Sequence, residues 1–156
     1  MEPIYEDLVR LAAAVDPRNP DPSDLVQAAL ERVLRRHGLA ELDNPVGYIS
    51  TTIVRLGANR RRAEHRLRRL VSRLGSVDAG SVGSAEREYV SNAETVRLLE
   101  QLTPSERAIV YLRYIEALDY LEIATRLGLT EASTRQRASR ALRRLRAGIE
   151  ETLHDE

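Results

Sequence analysis

Few folds can accommodate the punctuation of the stretch from Thr103 to Arg146. Thr103-Pro104-Ser105-Glu106 reads as a helix start. A hydroxyl stands at the cap, a proline at the first helical position, and a glutamate three residues on completes a capping box. Asp119-Tyr120-Leu121-Glu122 repeats the box for a second helix. Gly128 predicts where that helix stops, because glycine takes the left-handed conformation of a helix end without a steric cost. Thr130 predicts the cap of a third helix. Two helices joined by a tight Gly-containing turn are the signature of a helix-turn-helix.

The third helix has two unlike faces. Thr134, Ala138, Ala141, Leu142 and Leu145 recur at helical spacing and are expected to face a core. Ser133, Gln136, Arg137, Arg140 and Arg144 fall on the other arc, and every charged residue from Arg135 to Arg146 is an arginine. A helix with a dry back and a basic, amide-bearing front suits the major groove of DNA. Arginine reaches guanine edges or phosphates there, and glutamine pairs with adenine. Ser133, Thr134, Gln136, Arg137, Arg140 and Arg144 are therefore the candidate duplex contacts, Thr134 being counted both there and on the core side.

The formal net charge of zero conceals segregation. All 24 basic residues are arginine, and they cluster in residues 55–73 and 135–146, while the remaining segments are net acidic. Two basic blocks far apart in sequence imply two contacts with a polyanion. With one acid, Glu64, in the first block, Arg55, Arg60, Arg61 and Arg62 are not neutralised locally. There is no cysteine, and His37, His65 and His154 lack metal-ligand spacing, so no metal or cofactor is expected. No nucleophile with a base and no phosphate loop is present, so catalysis is not expected. The absence of a membrane-length apolar run or signal peptide predicts a cytoplasmic protein.

In chain order, residues 4–15 read as a short helix with Ile4, Leu8, Leu11 and Val15 on one side. Pro17, Pro20 and Pro22 make a loop. A second helix runs to about Arg36, with Val26, Leu30, Val33 and Leu34 inward and Asp24, Gln27 and Glu31 on the other arc. Residues 38–47 form a loop. A long helix over 45–74 follows, its apolar positions Ile49, Ile53, Leu56, Ala63, Leu67, Leu70 and Leu74 describing one packed face, with Gly57 as a bend or weak point. Residues 75–85 are small and Gly-rich. The expectation is an all-α protein of two small helical domains, 1–74 and 89–156, joined by a flexible linker at 75–88, the C-terminal domain being the helix-turn-helix.

The C-terminal motifs resemble the promoter-reading domain of bacterial sigma factors of the extracytoplasmic-function group. Leu102-x-Pro104-x-Glu106-Arg107, Leu112-Arg113-Tyr114, Tyr120-x-Glu122-Ile123-Ala124, Leu127-Gly128 and then Arg137, Arg140 and Ala141 carry the resemblance. Residues 21–30 resemble the family's polymerase-docking helix, with Asp24 and Gln27 at the contact positions and Ser23 where another acid is usual. Pro45 to Ile49, leading into Asn59-Arg60-Arg61-Arg62, resembles the element that faces the melted promoter. Tyr48 stands there for the usual Trp, Arg55 for an Asn and Asn59 for an Asp.

The resemblance implies an alternative sigma factor with core RNA polymerase and promoter DNA as partners and, often in such proteins, an anti-sigma factor. Asp24, Gln27 and Glu31 would hold the polymerase. His37, Asn44, Tyr48, Arg55, Asn59, Arg60, Arg61 and Arg62 would meet the −10 region, and the third helix of the C-terminal domain the −35 element. The departures at Ser23, Arg55 and Asn59 leave two alternatives open: a helix-turn-helix regulator that does not dock on polymerase, or a sigma-like interaction protein.

Overall fold

In a computed structural model the described residues are 2–74 and 93–155. Among them the chain forms seven α-helices and no strand. These are α1 (Glu2–Val15), α2 (Pro22–Leu34), α3 (Pro45–Arg73), α4 (Ala93–Glu100), α5 (Pro104–Tyr114), α6 (Tyr120–Leu127) and α7 (Glu131–His154), with one 3-10 turn at Leu39–Glu41. The all-α expectation therefore holds. The expected linker, 75–88, lies outside the described residues.

Local chemistry sets the helix starts. Thr103 and Glu106 exchange side-chain-to-backbone bonds at 3.1 and 3.2 Å, and Asp119 and Glu122 do so at 2.8 Å, so both capping boxes form. Asp21 caps α2 through Ser23 N and Asn44 caps α3 through Gly47 N. Thr130 caps α7 through Ser133 N. Gly128 closes α6 at φ 64°, the left-handed region that glycine adopts freely.

Packing departs from the expected stripes at their ends. In α1, Leu8, Leu11, Ala12 and Val15 are buried while Ile4 is exposed. In α2, Leu25 and Ala29 join Val26 and Val33 in the core, whereas Leu34 is exposed because the helix ends on it. In α3, Ile49 and Ile53 are buried, but Leu67, Leu70 and Leu74 are 62%, 55% and 72% exposed. The apolar line of α3 keeps its spacing in sequence apart from Arg60. Its last three leucines are uncovered among the described residues because the buried positions of α3 all lie in its first half, from Gly47 to Gly57.

The expected N- and C-terminal halves share one core. Leu11, Val15 and Ile53 belong to the same apolar cluster as Ile109, Leu112, Ile123 and Leu127. Helix α5 lies on α1 and α3, and α6 lies on α3. Gly57 is the point of closest approach: a Cβ built there would sit 2.5 Å from Val15 Cγ1 and 4.0 Å from Pro104 Cβ. Its role is thus close packing of α1, α3 and α5.

Polar bonds cross the same boundary. Arg107 of α5 is 5% exposed and donates to Val15 O at 2.9 Å, Leu99 O at 3.1 Å and Leu102 O at 3.0 Å. Burial, with Arg61 nearby, lowers its pKa to about 10, so it stays charged at neutral pH. Arg61 of α3 donates to Leu102 O at 2.6 Å and Glu100 O at 2.9 Å, and Arg18 pairs with Glu100.

Gly57→Ala should lower stability by about 1–3 kcal/mol despite alanine's ~1 kcal/mol higher helix propensity, because the added methyl overlaps Val15. Gly57→Ala with Val15→Ala, compared with Val15→Ala alone in urea titrations, should show a smaller penalty for the glycine change. A second expectation concerns Tyr111, whose hydroxyl donates to Glu116 at 2.6 Å. Burial first, and this carboxylate second, push its pKa up to about 12. A raised folded-state pKa stabilises fully below the tyrosine's ordinary value near 10, and that contribution fades as pH rises from about 10 through 12. Absorbance titration of phenolate should show one late-titrating tyrosine that Tyr111→Phe removes.

Candidate nucleic-acid and polymerase interfaces

The helix-turn-helix is α6, the turn Gly128–Leu129–Thr130, and α7. Ile123, Ala124 and Leu127 of α6 bury against the same layer as Ala138 and Ala141 of α7. That packing fixes the two helices as a unit and turns the other side of α7 outward. Gln136, Ser139, Arg140 and Arg143 stand on the exposed arc.

Three of the expected duplex contacts are placed differently from that arc. Thr134 is fully buried and its hydroxyl donates to Thr130 O at 2.9 Å, so it is a core residue and offers nothing to a ligand. Arg137 is half-buried and donates to Ser105 Oγ at 2.9 Å. Arg144 pairs with Glu106 at 2.8 Å, and Glu106 is only 4% exposed. Both arginines flank the buried stripe and reach back to α5, so α5 sets where their guanidinium groups sit. Ser133 is half-buried at the first turn, its N–H held by the Thr130 cap. Sequence reasoning missed Arg143, which a strict 100° wheel puts directly opposite Thr134. Arg135 is held by Glu131 at 2.7 Å and lies over the Tyr120 ring at 4.7 Å.

A second basic surface lies between α2 and α3. A groove of about 230 Å³ is lined by Arg32 of α2, Arg36 in the turn after it, and Tyr48, Arg55, Asn59 and Arg62 of α3, among others, with no acid in its lining. At its end Tyr48 Oη meets His37 Nε2 at 3.2 Å, and the two rings stack edge to face at 5.3 Å. Five expected −10 residues (His37, Tyr48, Arg55, Asn59 and Arg62) are brought together here. Asn44 caps α3, with its carbonyl oxygen engaged by Gly47 N. Arg60 and Arg61 point to the other side of α3. Arg61 is committed to the α4 carbonyls, and it lines a separate polar cleft with Asp16, Glu64, Glu100 and Arg107. In that cleft burial raises the Asp16 carboxyl above its ordinary range, Glu64 adds to the rise, and Arg107 and Arg60 oppose it.

The third surface is the outer arc of α2. Asp24, Gln27 and Glu31 are all exposed, and the wheel puts them on one line facing away from Val26, Ala29 and Val33. The cap of α2 is Asp21 rather than Asp24, so Asp24 is free of that structural duty.

Residues 93–145 match the family model for sigma-70, region 4. The chain is 30% identical over 146 residues to an RNA polymerase sigma-E factor of Streptomyces antibioticus, covering 92% of this chain and 78% of that one. It is 29% identical to the sigma-E factor of Streptomyces avermitilis over 92% of its own length and 79% of the relative's. Similarity to the probable ECF sigma factor SigI of Mycobacterium tuberculosis is 31% over 84% of this chain, which spans about half, 49%, of that protein. In architecture the chain is similar to the sigma factor RpoE of Bartonella quintana, solved in complex with the anti-sigma factor NepR. The TM-score is 0.58 at 20% identity, over 94% and 92% of the two chains. The chain belongs to the extracytoplasmic-function sigma factors.

In this sigma factor, structural and exposed arginines of α7 are separable. Arg144→Ala leaves the buried Glu106 without its ion-pair partner and should cost about 1–3 kcal/mol. Arg143→Ala on the free arc should stay within about 0.5 kcal/mol. Chemical denaturation of the two variants distinguishes the two roles. Equal midpoints would show that the Arg144–Glu106 pair does not support the fold.

Proposed function

We propose that this sigma factor binds core RNA polymerase and directs promoter-specific initiation, with its N-terminal half, 1–74, engaging the polymerase and the −10 region and its C-terminal half, 89–156, reading the −35 element in duplex DNA. The observation that carries this is the separation of three surfaces by chemistry. An acid-and-amide line on α2 faces one way. A basic groove with an aromatic end lies between α2 and α3. A basic arc with Gln136 at its centre fronts a helix-turn-helix. An acidic line repels nucleic acid and suits a protein partner, and the two basic surfaces suit two stretches of one polyanion.

The proposal also requires the halves to part. Elements about 25 base pairs apart are separated by roughly 85 Å at ~3.4 Å per base pair. A compact body of this chain length measures only roughly 40 Å across. The shared core therefore describes a closed form, and the promoter-bound form is an open one. No helix among the described residues is long and apolar enough to cross a membrane. The proposed site of action is the cytoplasm, where the polymerase is.

The test is run-off transcription with core polymerase on mapped promoters, together with two sets of substitutions. Asp24→Ala with Gln27→Ala and Glu31→Ala should weaken capture of core polymerase and leave duplex binding by the free protein intact. Gln136→Ala with Arg140→Ala should do the reverse, weakening duplex binding by about 1–3 kcal/mol for each side chain that pairs with a base edge. Unchanged polymerase capture in the first set would overturn the docking assignment. Unchanged duplex affinity in the second would overturn the assignment of α7.

A further inference from the structure

Two helices run on past the body of the fold, and each carries an apolar line that no described residue covers. The buried positions of α3 end at Gly57 and those of α7 at Gly148. Beyond them Leu67, Leu70 and Leu74 of α3 stand exposed, and Ile149 and Leu153 of α7 are 47% and 65% exposed. Spacings of three and four residues put each set on one side of its helix. A line of this kind is a packing surface, and where it is left in water it marks the seat of a partner.

Charge says what the partner is. From Arg66 to Arg73 the α3 line is bordered only by cations: Arg66, Arg68, Arg69 and Arg73 are exposed, and among the described residues they are in no ion pair. After Arg146 the α7 line is bordered by acids: Glu150, Glu151 and Asp155 are exposed and likewise in no ion pair. A basic apolar helix end and an acidic apolar helix end are complementary to each other. Within one chain α7 packs on α4, α5 and α6, and both lines stay exposed in the closed form. The molecule that always brings the matching surface is a second copy of this chain.

The flanks match as well as the totals. At about 100° per residue, Arg66 and Arg68 stand on opposite sides of the leucine line, and Asp155 and Glu150 on opposite sides of the Ile149–Leu153 line. With the two helices antiparallel and Leu67 level with Leu153, Ile149 reaches Val71, Arg68 meets Glu150 and Arg66 meets Asp155. Running them parallel would instead bring Arg66 beside Arg146.

We infer that the chain self-associates into a two-fold dimer in which the basic end of α3 packs antiparallel on the acidic end of α7 of a second copy. The two-fold axis makes the same contact twice and leaves no helix end over, so the assembly closes at two. One contact of about two turns is small against the ~1,200 Å² at which specific interfaces begin, so both contacts are needed and the dimer is weak. Self-association goes beyond the proposed function and does not depend on it. It bears on that function, because arginines of the 55–73 block face carboxylates in the dimer, and a polyanion competes for them.

The experiment is sedimentation velocity on the full chain over the micromolar range. The wild type should form a dimer whose fraction rises with concentration and falls as salt screens the ion pairs. Leu67→Gln/Leu70→Gln should sediment as a monomer, and so should Ile149→Gln/Leu153→Gln; all four side chains are exposed, so the helical circular dichroism should match wild type. Arg66→Glu/Arg68→Glu sets like charges against each other in two pairs of each of two contacts, and should raise the dissociation constant about tenfold or more. Glu150→Arg/Asp155→Arg should do the same. The chain carrying all four reversals should dimerise again, a restoration that damage to the fold cannot produce. A wild type that stays monomeric throughout overturns the inference, as does a four-fold variant that fails to recover. A loss confined to the variants of one helix overturns it too, because that result assigns the contact to like helix ends.

Discussion

Arg107 is the side chain on which the closed form depends. It is a nearly buried ion at the floor of the polar cleft, and it is tolerable there because three backbone carbonyls accept from it. Val15 O ends α1, Leu99 O lies in the last turn of α4 and Leu102 O just beyond it, so a single guanidinium ties together carbonyls at the ends of two helices. Arginine suits this position because its planar group fans several N–H donors toward separate acceptors, which a lysine ammonium does less well. Around that point the apolar packing of Val15, Gly57 and Pro104 becomes possible, and with it the seating of α5 on α1 and α3.

Much of this fold is legible in the sequence because helix boundaries are written locally. Capping boxes at Thr103 and Asp119, the Thr130 cap and Gly128 at φ 64° all depend on contacts within a turn, so spacing alone locates them. Stripe ends are not legible. Leu67, Leu70 and Leu74 keep the spacing of Ile49, Ile53 and Leu56, and only the position of the other helices decides that the first group is exposed. Gly57 reads as a weak point because propensity is local, whereas its function, letting Val15 approach, belongs to an element about forty residues earlier.

The same distinction explains which site residues periodicity finds. It sorts Gln136 and Arg140 outward and Asp24, Gln27 and Glu31 onto one line, because the opposite sides of α7 and α2 carry plain apolar stripes. It cannot sort arginines that flank a stripe. Arg137, Arg144 and Arg61 are the same residue type as their exposed neighbours, but each finds an acceptor far away in sequence: Ser105, Glu106, and the carbonyls of Glu100 and Leu102. Arg-rich composition supplies both structural and ligand-facing cations, and long-range acceptors decide which is which. Thr134 departs from expectation for a simpler reason: a short hydroxyl at the centre of the apolar stripe bonds its own helix at Thr130 O.

The closed core and the proposed opening place opposite demands on the surface between the halves, and its composition reconciles them. A large, purely apolar contact would cost about 25 cal/mol for every Å² exposed on separation. Here part of the contact is ionic and carbonyl-rich: Arg107 on Val15 O, Arg61 on Leu102 O, and Arg18 on Glu100. On opening, water takes over each of those partners, so the net cost per bond is only about 0.5–1.5 kcal/mol. The buried glycine helps in the same way, because a helix that meets its neighbour through Gly57 seals the contact with little apolar area. Arg61 sits on the same long helix that carries the basic groove, so the two carbonyls it holds tie that helix to the C-terminal half in the closed form.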